Sequence, residues 1–287
     1  MNRTTIAQRV TLSGRGLFSD APSSMSITPS TRAMGILFEH KDKTIPAEIG
    51  SLCDRPVHPV FARLKPRCTS VGDDAVSIAT IEHLMSALIG TGISDVRIEI
   101  DAQSPHAEIP ILDGSAQPFV DAITQAGVMS FDSPVEPIRV VERIVVEDGD
   151  SIIVIEPSET PSYSYLLDYP GTVLGRVEVS WDARSGSYAQ QIAPARTFSL
   201  EHEALQMQSA GLFTHLSPRD MLVIGEDGPI ENEYRLEHEC ARHKLLDLIG
   251  DLALVGSPLI ADVRAKRSGH SLAHRATQAI VDQRRNQ

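Results

Sequence analysis

Cysteine is scarce in this sequence, with three in 287 residues, and none of Cys53, Cys68 and Cys240 stands in a CxxC pair. So odd and scattered a set makes neither a disulfide framework nor a thiolate metal knuckle. It reads as buried, inert thiols in a reducing compartment. Positive charge is also short: 26 Lys and Arg against 38 Asp and Glu give a formal charge of −12. That excludes the basic footprint of a nucleic-acid-binding protein, while leaving room for a local basic pocket. No apolar run approaches the roughly 18 residues a membrane span requires, and the opening MNRTTIAQRV has no apolar h-region. The expectation is a cytoplasmic protein without a transmembrane segment.

What is present suits a large folded core. Hydrophobic residues make up 41% and charged residues 22% of the chain, and its length favours about two domains. The clearest break is SFDSPVEP, residues 130–137, where two prolines interrupt well-patterned sequence. It divides the chain into a first domain over 1–129, a linker over 130–137 and a second domain over 138–287. Alternating runs such as SMSIT (24–28) and DVRIEI (95–100) predict half-buried strands, and helices are expected over 81–89 and 117–126. Beyond the break, residues 138–157 read as two strands turning at 148–150, with a third over 177–181 and helices over 200–209 and 237–255.

Strands gathered before helices in each half predict an α+β fold, two similar domains of mainly antiparallel sheet layered against helices. A short internal match supports duplication. HLMSALIG from His83 and HKLLDLIG from His243 align without a gap, sharing the histidine, a leucine and the Ile-Gly ending. Two equivalent helices would then each bring a histidine to a site at the shared interface.

Among ten histidines, His40, His58, His106, His202, His215 and His274 lack an acidic or cysteine partner at ligand spacing and read as solvated surface. His243 and Asp247 differ. Four residues apart in a helical pattern, they project about 40° apart on one face, with Asp251 one turn further on. Such a pair suits two positions of a zinc site with one place left for water; the alternative is a surface i,i+4 hydrogen bond. The overlapping HECARH (238–243) is not an HExxH protease motif, because five helical steps leave its two rings about 140° apart.

Glu82 precedes His83 at the start of a predicted helix, about 100° around from it. From there a carboxylate reaches a water near a metal on His83; the alternative is a helix-start carboxylate beside a half-buried ring. KRSGH (266–270) reads as a flexible basic loop presenting His270 near an anion, or as plain exposed loop. A carboxylate such as Asp251 would orient that ring and keep it protonated.

Taken in order, TIEHLMSALIGTGI, EIPILDGSAQPF, ARTF, RHKLLDLIGDL and KRSGH resemble the UDP-3-O-acyl-N-acetylglucosamine deacetylase family, zinc enzymes that commit precursors to lipid A. The resemblance runs from SGRGL (13–17) to SGHSL (268–272) and implies two α+β domains with the active site between them. By that likeness His83, His243 and Asp247 hold Zn2+, with Fe2+ as another possible occupant. Glu82 is the general base, His270 oriented by Asp251 is the cationic partner of the oxyanion and leaving amine, and Thr197 is an oxyanion donor. Lys244, Phe198 and Arg267 would bind substrate.

The implied partner is a small-molecule UDP-acyl-sugar, acted on by a monomer, with no nucleic acid involved. Departures accompany the likeness. Phe18 stands in Gly-Leu-Phe where the family commonly has histidine, LFTHLS (212–217) lacks the usual Gly-Gly, and Arg267 replaces a lysine. An apolar channel for the acyl chain is expected along an insert at about 197–225. Two other readings stay open: a paralogue deacetylating a different N-acetylated sugar, and a non-catalytic descendant that binds a sugar nucleotide or a partner protein.

Overall fold

The computed structural model describes residues 1–184 and 186–286. Two five-stranded sheets dominate it. The first is built from β1 (Val10–Arg15), β2 (Pro22–Pro29), β3 (Ile36–His40), β4 (Lys43–Pro46) and β5 (Val96–Asp101), in the order β1-β2-β5-β3-β4. The second is built from β6 (Ile144–Asp148), β7 (Ser151–Glu156), β8 (Ser162–Tyr169), β9 (Gly175–Asp182) and β10 (Asp262–Lys266), in the order β6-β7-β10-β8-β9.

These are one topology written twice. In each sheet two antiparallel hairpins are joined by a late central strand, which pairs antiparallel with the first hairpin and parallel with the second. The helices follow the same scheme. α1 (Glu82–Gly90) precedes β5 and α2 (Gln117–Ala126) follows it. In the second half come the short α3 (Tyr188–Gln191) and α4 (Glu201–Ser209), then α5 (Glu239–Leu252) before β10 and α6 (His270–Arg285) after it. The α+β reading holds, and the internal match lies on α1 and α5.

Alternation explains the layering. Ile27, Phe38 and Ile98 from the first sheet, and Ile153, Ile155 and Val263 from the second, are all fully buried on the faces that meet helices. Both halves contribute to one continuous core, with α1 and α5 packed together at its centre. Burying each such large side chain stabilises the fold by about 1.5–3 kcal/mol.

The shared Ile-Gly ending has a steric cause. A Cβ at Gly250 would lie 2.0 Å from the Glu82 carbonyl oxygen, and one at Gly90 would lie 2.3 Å from the Tyr188 ring. Only glycine lets α5 approach the start of α1 so closely.

Several expectations change. The helix α6 was not foreseen, and KRSGH is not a flexible loop: His270 is the first residue of a sixteen-residue helix and is buried. The buried stripe of α6 is small, with Ala273 and Ala276 beside Leu272 and Ile280, and its N-cap is Gly269, which supplies no capping side chain.

Residues 128–134, overlapping the proline-marked break, form a strand antiparallel to Asn2–Ile6. Of the six histidines read as solvated surface, only His202 is exposed. His40 is 4% and His274 6% exposed, because backbone carbonyls and a threonine hydroxyl occupy their ring nitrogens. Cys68 and Cys240 are buried, and burial pushes both thiols up, Cys240 to about 12, whereas Cys53 is half-buried. No helix among the described residues is long and apolar enough to cross a membrane.

Candidate metal centre and active site

His83, in the first turn of α1, meets His243 and Asp247, one turn apart on α5, where the two helices cross. One ligand-capable atom from each lies within 4.8 Å of the others, and all three residues are buried. The two Nε2 atoms stand 3.6 Å (His83) and 3.3 Å (His243) from Asp247 Oδ1, and the rings meet edge to face at 5.0 Å. His243 Nδ1–H donates to the Ala195 carbonyl at 3.1 Å, which fixes the tautomer that turns Nε2 toward the cluster.

Burial depresses the His243 imidazole to about 3, so the ring is neutral and its lone pair available. Burial alone would raise the Asp247 carboxyl, but its polar neighbours, the Lys244 ammonium 2.6 Å from Oδ2 among them, hold it well below the ordinary range. Asp247 Oδ1 is buried with no hydrogen-bond partner. A charged oxygen is not left so without cause; two imidazoles and an orphaned carboxylate oxygen converging on one point fit a divalent cation.

Glu82 and His270 flank this cluster, with 4.0 Å between Glu82 Oε1 and His270 Nε2. Glu82 is buried, and desolvation raises its carboxyl above the ordinary carboxylate value. His270 Nδ1 lies 2.9 Å from Asp251 Oδ2. Desolvation works against its proton, but the charge and hydrogen bond of Asp251 prevail and raise it to about 9. At neutral pH the site therefore holds a cationic imidazole beside a carboxylate of raised basicity.

The remaining predicted residues line two joined cavities. One, of about 240 Å³, contains the metal cluster, Glu82, His270, Lys244, Thr197 and Phe198. Thr197 is held by its backbone N–H to the Gly114 carbonyl at 2.7 Å, and the Phe198 ring stands edge-on to His243 at 6.4 Å. The other, of about 620 Å³, carries Arg267 with Lys65, Arg67 and Lys244. Arg267 is half-buried and paired with Asp168 at 3.2 Å and Asp150 at 3.3 Å, so its guanidinium stands at the cavity wall and not among the ligands.

The first cavity opens past Phe18, Met207, Phe213 and Met221 toward an apolar groove of about 180 Å³ against α4, lined by Leu205, Leu216 and Val223. Phe18 meets the Phe61 ring edge to face at 5.4 Å and the tilted Phe213 ring at 5.7 Å, and so belongs to the cavity wall.

Sequence reasoning missed three supports. Glu239, met above only as part of a discarded protease motif, is fully buried and pairs with Arg196 at 2.8 Å, which anchors the irregular segment leading to Thr197. Glu108 accepts from the backbone of Phe18 and Ser19 and from the Thr80 hydroxyl, fixing the wall beside the cavity. Thr69 donates its N–H to Glu82 Oε2 at 3.0 Å. Both glutamates sit in quoted motifs, but these partners are 28 to 90 residues away in sequence.

Fold and site together define a class: a duplicated α+β protein with a candidate mononuclear metal centre where equivalent helices of its halves cross. Comparison with known proteins narrows this. A family model described as UDP-3-O-acyl N-acetylglycosamine deacetylase matches residues 3–282. The UDP-3-O-acyl-N-acetylglucosamine deacetylase of Cellvibrio japonicus is 35% identical over 289 residues, covering 99% of this chain and 91% of that protein. The enzymes of that name from Campylobacter hominis (33% over 288 residues, 100% and 94% covered) and Nautilia profundicola (32% over 283 residues, 99% and 93%) are similar throughout. The chain belongs to the UDP-3-O-acyl-N-acetylglucosamine deacetylase family, a family of metalloenzymes.

Proposed function

We propose that this protein hydrolyses the acetamide of a UDP-3-O-acyl-N-acetylglucosamine, releasing acetate in lipid A biosynthesis, with zinc as its metal. One observation carries the reading: a buried carboxylate and a buried cationic imidazole stand 4.0 Å apart beside a three-ligand cluster with an orphaned carboxylate oxygen. His83, His243 and Asp247 would hold the ion. Two imidazoles and one carboxylate form a donor set zinc accepts with a position to spare, and such an ion lowers the pKa of water and polarises a carbonyl.

The chain's own groups divide the remaining work. Glu82, kept basic by burial, takes the proton of the attacking water. His270 enters charged, because Asp251 holds its Nδ1 proton, and its Nε2–H points toward Glu82 and the cavity. It stabilises the oxyanion and then protonates the departing amine. Thr197, at the cavity wall beside these groups, donates a second hydrogen bond to that oxyanion. Lys244 and Phe198 position the sugar, Arg267 and its basic neighbours face the diphosphate, and the acyl chain runs past Phe18 and Phe213 into the groove beside α4. Continuity between that groove and the reaction cavity favours an acylated substrate over an unacylated one.

The test is acetate release from acylated and unacylated UDP-N-acetylglucosamine, with metal analysis. We expect turnover of the acylated compound and its loss in Glu82→Ala with the metal retained. Turnover of the unacylated sugar alone would replace this reading with that of a paralogue. Metal without Glu82-dependent release would leave a binding protein.

A further inference from the structure

Thr69 sits just before the first strand of the small sheet formed by Ser70–Gly72, Ser77–Ala79 and His106–Glu108, and is fully buried. It touches both sides of the proposed acid–base pair. Its backbone N–H donates to Glu82 Oε2 at 3.0 Å, and its hydroxyl bonds to Asp251 Oδ1, the carboxylate that carries His270. The same hydroxyl oxygen lies 2.7 Å from Nε2 of His274, one turn beyond His270 on α6. His274 is 4.0 Å from Asp251 Oδ1, too far for a direct bond, so Thr69 is the intermediary.

Proton counting gives this chain a direction. A threonine hydroxyl has one hydrogen, and an ionised carboxylate only accepts. Asp251 is ionised: burial would raise it, but the charge and hydrogen bond of His270, with the Thr69 hydroxyl, hold it below the ordinary value. The Thr69 hydrogen therefore goes to Asp251, and the Thr69 oxygen must accept from His274. His274 is then the Nε2–H tautomer, donating to Thr69, which donates to Asp251, which accepts in turn from His270 Nδ1–H.

We propose that Thr69 is a positioning residue of this active centre, holding the base by its backbone and the carrier of the acid by its hydroxyl, with His274 setting that hydroxyl's direction. The proposal rests on the deacetylase reading above. It ties together residues from both halves: Thr69 and Glu82 from the first, Asp251, His270 and His274 from the second. A supporting partner of this kind is worth about 10- to 100-fold in activity, and one neutral hydrogen bond about 2- to 10-fold. Thr69→Val keeps the N–H and the shape but removes the hydroxyl, and His274→Ala removes only the outer donor.

The expected result is a 10- to 100-fold lower kcat for Thr69→Val, with KM within about twofold and metal content unchanged, because the loss falls on groups that act in the transition state. Thr69→Ser recovers most of it. His274→Ala costs about 2- to 10-fold alone and nothing further in the Thr69→Val background, since it acts only through that hydroxyl. Nitrogen NMR of the 15N-histidine-labelled wild-type protein should show His274 as the Nε2–H tautomer.

Undiminished kcat in Thr69→Val, a further loss on adding His274→Ala to it, or an Nδ1–H tautomer at His274 would each overturn the proposal. A wild-type protein that releases no acetate removes the functional reading, while the ring tautomer still decides the relay.

Discussion

The helices α1 and α5 are equivalent in topology, share an Ile-Gly pair and carry a histidine at the same aligned place, yet they are chemically unequal. Where α5 has Lys244 and Asp247, α1 has Leu84 and Ala87; one turn after Asp247, α5 adds Asp251, where α1 has already ended at Gly90. In the proposed mechanism the first half supplies one imidazole and the base, and the second supplies an imidazole, the ligand carboxylate and the carrier of the acid. Duplication gives a symmetric frame, close enough at Gly250 for the helices to touch. The chemistry lies in the side chains that break the symmetry.

That difference can be tested from its strongest consequence down. Asp247→Ala, which makes α5 like α1 at this position, removes a ligand and strands the Lys244 ammonium; we expect the metal lost in elemental analysis and activity lost with it. Glu82→Gln leaves the ligands alone and removes the base; kcat should fall about 10²- to 10⁴-fold while metal content stays at wild-type level.

Asp251→Asn probes the feature α1 lacks. His270 is raised to about 9, so the alkaline limb of kcat/KM should centre near that pH in the wild type and move to lower pH in the variant. The sign for stability is the same. A pKa raised above the ordinary 6.5 contributes stability fully present below that value and lost as pH rises through about 9. Smallest in effect, Gly250→Ala keeps every catalytic group but puts a methyl against the Glu82 carbonyl; about 1–3 kcal/mol of stability should go, read from denaturant melts.

Much of this comparison was legible in the sequence. α5 could be read because HKLLDLIGDL combines a dense apolar stripe with polar residues at helical spacing, and α2 because its pattern spans the observed Gln117–Ala126. α6 could not, because its buried stripe mixes two alanines, two histidines and a threonine with only Leu272 and Ile280 as large apolar residues, and its cap is glycine; with it went the rigid setting of His270 and any view of His274. Sheet order was hidden for another reason. The central strands β5 and β10 pair with residues 60 to 114 positions earlier in the chain, a relation no local pattern carries.

Of the candidate site, the i,i+4 pair of His243 and Asp247 could be found by geometry, and the wider set came with the family likeness. The buried supports did not come from either: Thr69 and Glu108 are ordinary residues in a one-dimensional reading and acquire a role only through partners across the fold.

If one cation is gripped by both halves, anomalous diffraction at the zinc edge, from crystals grown with zinc, will show a single strong peak within bonding distance of His83 Nε2, His243 Nε2 and Asp247. A clean map at the crossing of α1 and α5, with zinc bound elsewhere or nowhere, would contradict it.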